Sequence, residues 1–190
     1  MSAARLLTRA RRDFANDPAL ERDARAVALG GFGGGLAWML ARNGASAGSG
    51  DLRRGHLVGV VKYGLCVAFG ASVAGVLALS LRGVAWPWAS LSAASLAFVL
   101  AFYALESRWV FVFPAMAEGD PHPFLRSWRL TRAQGGTLAA MRVVMPIAAW
   151  MIFGSLIDGH VVRAWAIGCH AVLTWYRDLR AAGPLGSDDP

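Results

Sequence analysis

The sequence is poor in lysine, cysteine and charge, and each shortage excludes something. Eighteen of its nineteen cationic side chains are arginine, and Lys62 is the single lysine. That bias reads as genomic composition, because nothing in it demands a bidentate anion site. The two cysteines, Cys66 and Cys169, each sit in the middle of an apolar block, with no CxxC pair and no Cys/His ligand spacing. A zinc site and a disulfide framework are unsupported, and both thiols read as small hydrophobes. Charged residues make up 16% of the chain, against about 25% in a soluble domain. Ser155, Asp158 and His160 are neighbours in sequence only, and no GxSxG elbow is present. The expectation is a protein that is not an enzyme and that carries no metal and no cofactor.

What the chain has in excess is apolar residue, 56% of 190, with a mean hydropathy of +0.43. The excess lies in blocks of sixteen to twenty-six residues, the pattern of membrane helices. The formal charge is +7 and the pI about 10.7. Nucleic-acid binding is one reading of such a balance. The arginines flank apolar blocks, however, as in inner-membrane proteins, so lipid is the expected partner and nucleic acid is not.

Residues 1–25 form a basic segment expected on the cytoplasmic side. Arg5, Arg9 and Arg12 lie at helical spacing, which predicts a surface helix. Asp17-Pro18 predicts a second helix, capped by the carboxylate with proline at its first position. Residues 26–41 are apolar but short, with glycine at five of the six positions 30–35. Sixteen helical residues rise only about 24 Å, less than the roughly 30 Å hydrocarbon core. Three readings stay open: a span packed through its glycines, a segment that dips in and returns, or a cleaved signal ending at Ala45-Ser46-Ala47. Residues 42–55 read as a loop.

Four further blocks predict spans near 56–81, 86–113, 137–157 and 161–176 of a helical domain covering 26–180. Lys62 near the start of the first is expected to snorkel to the interface, and Ala71 and Gly75 are its small-xxx-small pair. Arg82 to Ala85 make a short turn, and Trp86 and Trp88 follow where an aromatic belt would lie. Ala89, Ala93, Ala97 and Ala101 form a narrow stripe expected to be a helix-packing seam. Pro146 in the third span predicts a kink, with Thr137 as a reasonable N-cap. Asp158 to His160 read as a turn, and residues 181–190 as a disordered tail. His170, in mid-span, is a polar group where a functional role is the default expectation. His56 is too poorly placed to be its partner in binding haem.

Sidedness follows from the cations. If 26–41 does not cross and the later four blocks do, seventeen cationic residues face the cytoplasm and two, Arg82 and Arg163, face away. If 26–41 does cross, the split is eleven to eight. The expectation is therefore four spans in the cell inner membrane with both termini cytoplasmic.

The two apolar halves are joined by residues 106–136, ESRWVFVFPAMAEGDPHPFLRSWRLTRAQGG, the longest polar interruption in the apolar part of the chain. Pro114 bends or ends the preceding helix, and Asp120-Pro121 predicts a new start. On a helix over 121–133, Phe124, Trp128 and Thr131 share a face, with Arg126 and Arg129 opposite and Arg132 to one side. This reads as an interfacial amphipathic helix, either a topology anchor or a lipid-headgroup contact made by Arg126, Arg129, Arg132 and Trp128. The strings F-P-A-M-A-E-G and L-R-S-W-R-L-T-R-A resemble the signature of multi-pass membrane domains fused to some glycerophosphodiester phosphodiesterases, and of related stand-alone membrane families of no assigned function. The matching positions are Glu118, Gly119, Arg126, Ser127, Trp128, Arg129 and Arg132. The resemblance implies an all-α helical membrane domain and not phosphodiesterase activity, since the catalytic domain is absent from this sequence. The functional expectation is a scaffold or accessory subunit, with association to other membrane proteins or to itself. A transporter or lipid-handling module is the alternative.

Overall fold

The computed structural model describes residues 2–83, 86–158 and 160–183. Val84 and Ala85 of the first expected turn, Gly159 of the second, and 184–190 of the expected tail lie outside the described residues. All regular structure among the described residues is helical.

The N-terminal helices follow the rules of a water-facing protein. Helix α1 (Ala3–Asn16) starts at Ser2, whose hydroxyl accepts from the Arg5 amide, and it buries Ala3, Leu6, Ala10 and Phe14. That spacing is one face of a 3.6-residue period, with Arg5, Arg9 and Arg12 exposed on the other side. The Asp17 carboxylate accepts from the Ala19 amide at 3.0 Å and starts α2 (Pro18–Val27), as the Asp-Pro pair implies. These helices are built into the fold. Arg9 pairs with Asp178 at 3.2 Å, Asp13 with His170 at 2.9 Å, and Glu21 with Arg163 at 3.6 Å. Rising numbers on one side against falling numbers on the other mean that α1 and α2 run antiparallel along α9 (Val161–Ala181).

A 3-10 turn (Ala28–Gly30) leads to α3 (Gly31–Arg42). Its twelve residues rise about 18 Å. The glycines permit close approach to α4 (Ser49–Ser80). A Cβ on Gly33 would stand 2.6 Å from the Leu52 carbonyl oxygen, and one on Gly55 would stand 3.0 Å from the Gly33 Cα. The 26–41 block thus divides into the end of α2, a 3-10 turn and a short helix laid on α4.

Helix α4 begins seven residues before the expected 56, so half of the expected 42–55 loop is helical. Its buried positions are Gly55, Gly59, Lys62, Cys66 and Gly70, recurring every third or fourth residue. Ala71 and Gly75 lie off this stripe and are exposed, and nothing stands within 4 Å of a Cβ placed on Gly75. Lys62 does not snorkel. It lies on the inner stripe and is 1% exposed. Helix α5 (Pro87–Arg108) pairs with α4 as a hairpin and buries Ala94 and Ala101 on the way to Glu106 and Ser107.

The expected 86–113 span breaks at 109–111, and α6 (Val112–Ala117) follows with Pro114 inside it. Gly119, at φ +82°, turns the chain where a Cβ would be strained. The next helix, α7 (Pro123–Ala133), begins two residues later than Asp120-Pro121 suggests. Asp120 instead closes a local turn, accepting from the His122 amide at 2.7 Å. Helix α8 (Gly136–Asp158) continues through Pro146, and Thr137 lies within its first turn. Among the described residues, three helical stretches are long and apolar enough to cross a membrane: Ser49–Ser80, Pro87–Ala117 and Gly136–Ile157. Helix α9 is not among them. It is the hub of the body, burying Ala164, Ile167, Ala171, Leu173, Trp175 and Tyr176 against its neighbours.

Candidate functional site

The polar groups inside the apolar hairpin come together. Lys62 Nζ donates to Glu106 Oε1 at 2.9 Å, and the Tyr63 hydroxyl reaches the same oxygen at 3.4 Å. Lys62 also stands 4.9 Å from the Tyr63 ring centre and 5.5 Å from that of Phe113, within cation–π range. The side chains of Lys62 and Glu106 are 2% and 10% exposed. Glu106 Oε2 has no hydrogen-bond partner. Glu106 forms part of the wall of a cavity of about 300 Å³ between α4, α5, α8 and α9, whose other walls include Tyr63, Phe102, Tyr103, Ile147 and Met151. Burying an ion pair costs about as much as the pair returns, and an apolar pair of similar volume is often as stable. The pair is therefore a poor device for stability alone.

A second polar set holds the central connection. The break after α5 leaves the Arg108 carbonyl and the Phe111 amide without helical partners. Ser127 of α7 serves both: its hydroxyl donates to the Arg108 carbonyl at 2.7 Å and accepts from the Phe111 amide at 3.0 Å. Arg108 turns back, with Nε donating to Thr137 Oγ1 at 2.8 Å and the guanidinium 4.7 Å from the Trp128 ring centre. Glu118 accepts from the Tyr176 hydroxyl at 2.9 Å and pairs with Arg180, tying the end of α6 to α9. Asn43 donates to the Ala117 carbonyl at 3.1 Å and accepts from Arg177 at 2.6 Å.

No family model, curated protein or solved structure matches the chain.

The residues singled out in the sequence are placed as follows. On α7 the buried face is Pro123, Ser127, Leu130 and Thr131. Phe124 packs edge-on against Trp109 at 5.2 Å. Trp128 is 41% exposed beside Arg108. Arg129 and Arg132 are exposed, and Arg126 is half-buried. In the alanine stripe Ala101 is buried, Ala93 and Ala97 are half-buried, and Ala89 is exposed. His170 is held by Asp13 and lies edge-on to Phe14 and Trp38. His56 lies instead against Gly31 and Gly33, so the two histidines serve different contacts. No cluster of three or more metal-ligating side chains occurs among the described residues.

The Lys62–Glu106 pair is the site that sequence reasoning missed, and a signal for it exists. Lys62 lies eighteen residues before Ser80, where α4 ends, and Glu106 lies nineteen residues after Pro87, where α5 begins. Opposite charges at nearly the same depth on the two arms of a hairpin are set to meet.

Proposed function

We propose that this chain is a non-catalytic integral membrane protein of the cell inner membrane, acting as a scaffold or accessory subunit. The observation that carries the reading is the use of its polar groups. Lys62 with Glu106, Asp13 with His170, Glu21 with Arg163 and Glu118 with Arg180 each join one helix to another. Such chemistry holds an assembly surface in place. The long hairpin offers that surface, since beyond Gly70 no residue of α4 is buried.

In this reading the N-terminus, the central connection and the C-terminus face the cytoplasm, in keeping with the excess of cations on those segments. The α4–α5 pair crosses. The α8–α9 pair enters from the inner side and returns, because α1 and α2 lie along α9 with Arg9 and Arg22 turned outward, their side chains 57% and 80% exposed. Such charges do not face hydrocarbon. Four complete spans is the second reading, favoured by the length and apolarity of α8. A periplasm-active phosphatase fused after Gly83 is expected to be active and one after Asp120 silent. Activity after Asp120 overturns the sidedness, and activity after His160 selects four spans. Crosslinking in membranes followed by copurification tests the scaffold role. Recovery of the chain free of any stable partner or second copy refutes it.

A further inference from the structure

We propose that the seam between α2 and α9 binds one anionic phospholipid, its phosphate held by Arg22, Arg25 and Arg163 and an acyl chain laid in the adjoining apolar groove. The inference rests on the membrane reading above and not on the scaffold role. The first support is charge. Glu21 lies 2.6 Å from Arg25 and 3.6 Å from Arg163, and Asp23 lies between Arg42 and Arg22, the latter at 4.0 Å. Four guanidiniums thus share two carboxylates, which leaves an excess of two positive charges. Three of the four stand around one hollow of about 450 Å³, which Phe14, Ala15, Pro18 and Glu21 complete. The side chains of Arg22, Arg25 and Arg163 are 80%, 55% and 33% exposed, so a ligand reaches them. Phosphate oxygens accept charge-assisted hydrogen bonds from such guanidinium forks. A choline headgroup would bring a further cation to the same hollow.

The second support is the groove beside the hollow. Ala28 follows Arg25 by three residues, and Val162 precedes Arg163 by one. Both line a groove of about 560 Å³, walled further by Phe32, Val60, Met151 and Trp165, with His56 as its ionisable side chain. Val60 and Val161, also on the groove, are 62% and 69% exposed, so it opens outward along α4 and α9. The third support is depth. In the reading in which α4 crosses, the twenty residues back from Ser80 to Val61 rise about 30 Å, the thickness of the hydrocarbon core. Val60 and His56 then stand at its inner edge, the level at which acyl chains meet phosphates. A free phosphate ion would use the hollow alone and leave the groove empty, whereas a lipid fills both.

The experiment places the full chain in phosphatidylcholine nanodiscs that carry a trace of phosphatidylglycerol with a photoactivatable diazirine in one acyl chain. Adducts are mapped by peptide mass spectrometry, and photoactivatable phosphatidylcholine at equal mole fraction is the reference. The expected result is labelling at Met151, Val162 or Trp165 that is about fivefold stronger for phosphatidylglycerol, the ratio that about 1 kcal/mol gives for one arginine near an anionic surface. Arg22→Gln/Arg163→Gln is expected to bring the two lipids level, and Arg22→Lys/Arg163→Lys, which keeps the charge, to retain the preference. Val60→Trp enters the groove from an exposed position of α4 and leaves the arginines intact, and it is expected to lose the labelling. The proposal is overturned if wild type labels both lipids equally, or if either the glutamine pair or Val60→Trp labels like wild type. It is also overturned if inorganic phosphate at matched ionic strength displaces the label as fully as unlabelled phosphatidylglycerol, which marks a site for the free ion. A chain that stays out of the discs overturns the membrane reading together with the site, whereas one that enters them and labels both lipids equally overturns the site alone. Should the glutamine pair not fold, the comparison of lipids and Val60→Trp decide.

Discussion

Helices α1 and α4 solve opposite problems within one chain. In α1 the large apolar side chains Leu6 and Phe14 are buried and the arginines face out. In α4 the buried stripe is three glycines, a cysteine and a lysine, while Leu57, Val60, Val76 and Leu79 are 62–70% exposed. The inversion says that the two helices meet different solvents. Water drives apolar surface inward, so α1 is organised by what it hides. Lipid is as apolar as leucine and gives no such drive, so α4 is organised by close backbone approach and polar ties. Size and polarity therefore swap their structural meaning between the two helices.

The sharpest way to break that comparison is a reciprocal set of substitutions. Leu6→Ala removes a fully buried side chain from the α1 core and is expected to cost about 3 kcal/mol. Gly59→Leu drives a side chain into the Phe32 ring and is expected to cost about as much, at the upper end for overpacking. Leu79→Ala and Gly75→Leu, on the exposed part of α4, are expected to stay within about 0.5 kcal/mol. Denaturant unfolding in micelles measures all four, and comparable losses at Gly75 and Gly59 would end the distinction.

A smaller effect tests the polar ties directly. Ser127→Ala leaves the Phe111 amide and the Arg108 carbonyl unpaired, and is expected to cost about 2 kcal/mol. Faster hydrogen exchange confined to residues near 108–112 is the companion signature, and unchanged exchange there contradicts the role given to Ser127.

The smallest effect belongs to the water-facing side. The hydrogen bond from Arg25 holds Glu21 below its ordinary value of 4.5, against a raising effect of burial, with Arg163 assisting. A carboxylate whose folded-state value is lowered stabilises the fold above its unfolded value, and that contribution fades as pH falls through the lowered one. For an i,i+4 pair it amounts to about 0.3–0.5 kcal/mol. Glu21→Gln is expected to remove this component of the acid sensitivity below pH 4.5, and wild-type and variant curves that superpose there refute it.

Periodicity and caps made much of the helical layout legible. The spacing of Arg5, Arg9 and Arg12 marked the outer face of α1, and Asp17-Pro18 marked the start of α2. Hydropathy marked the apolar stretches, because length and composition suffice for that. It could not say which face of α4 is inner, since Ala71 with Gly75 is as good a small pair as Gly55 with Gly59. The arrival of α3, which sets Gly33 against Gly55 and Phe32 against Gly59, breaks the tie. The break after Arg108 was hidden for a similar reason. Trp109, Phe111 and Phe113 read as a continuing apolar helix, and the group that stabilises the interruption lies sixteen residues further on at Ser127. Lys62 and Glu106 were visible one at a time, and a separation of forty-four positions concealed the pair.

The antiparallel seat of α1 on α9 also orders events at the ribosome. Phe14 meets Trp38 of α3 soon after it is made, whereas the ties from Arg9 and Asp13 wait for Asp178 and His170 of α9. Formation of those two ties therefore marks the moment at which α1 closes on α9.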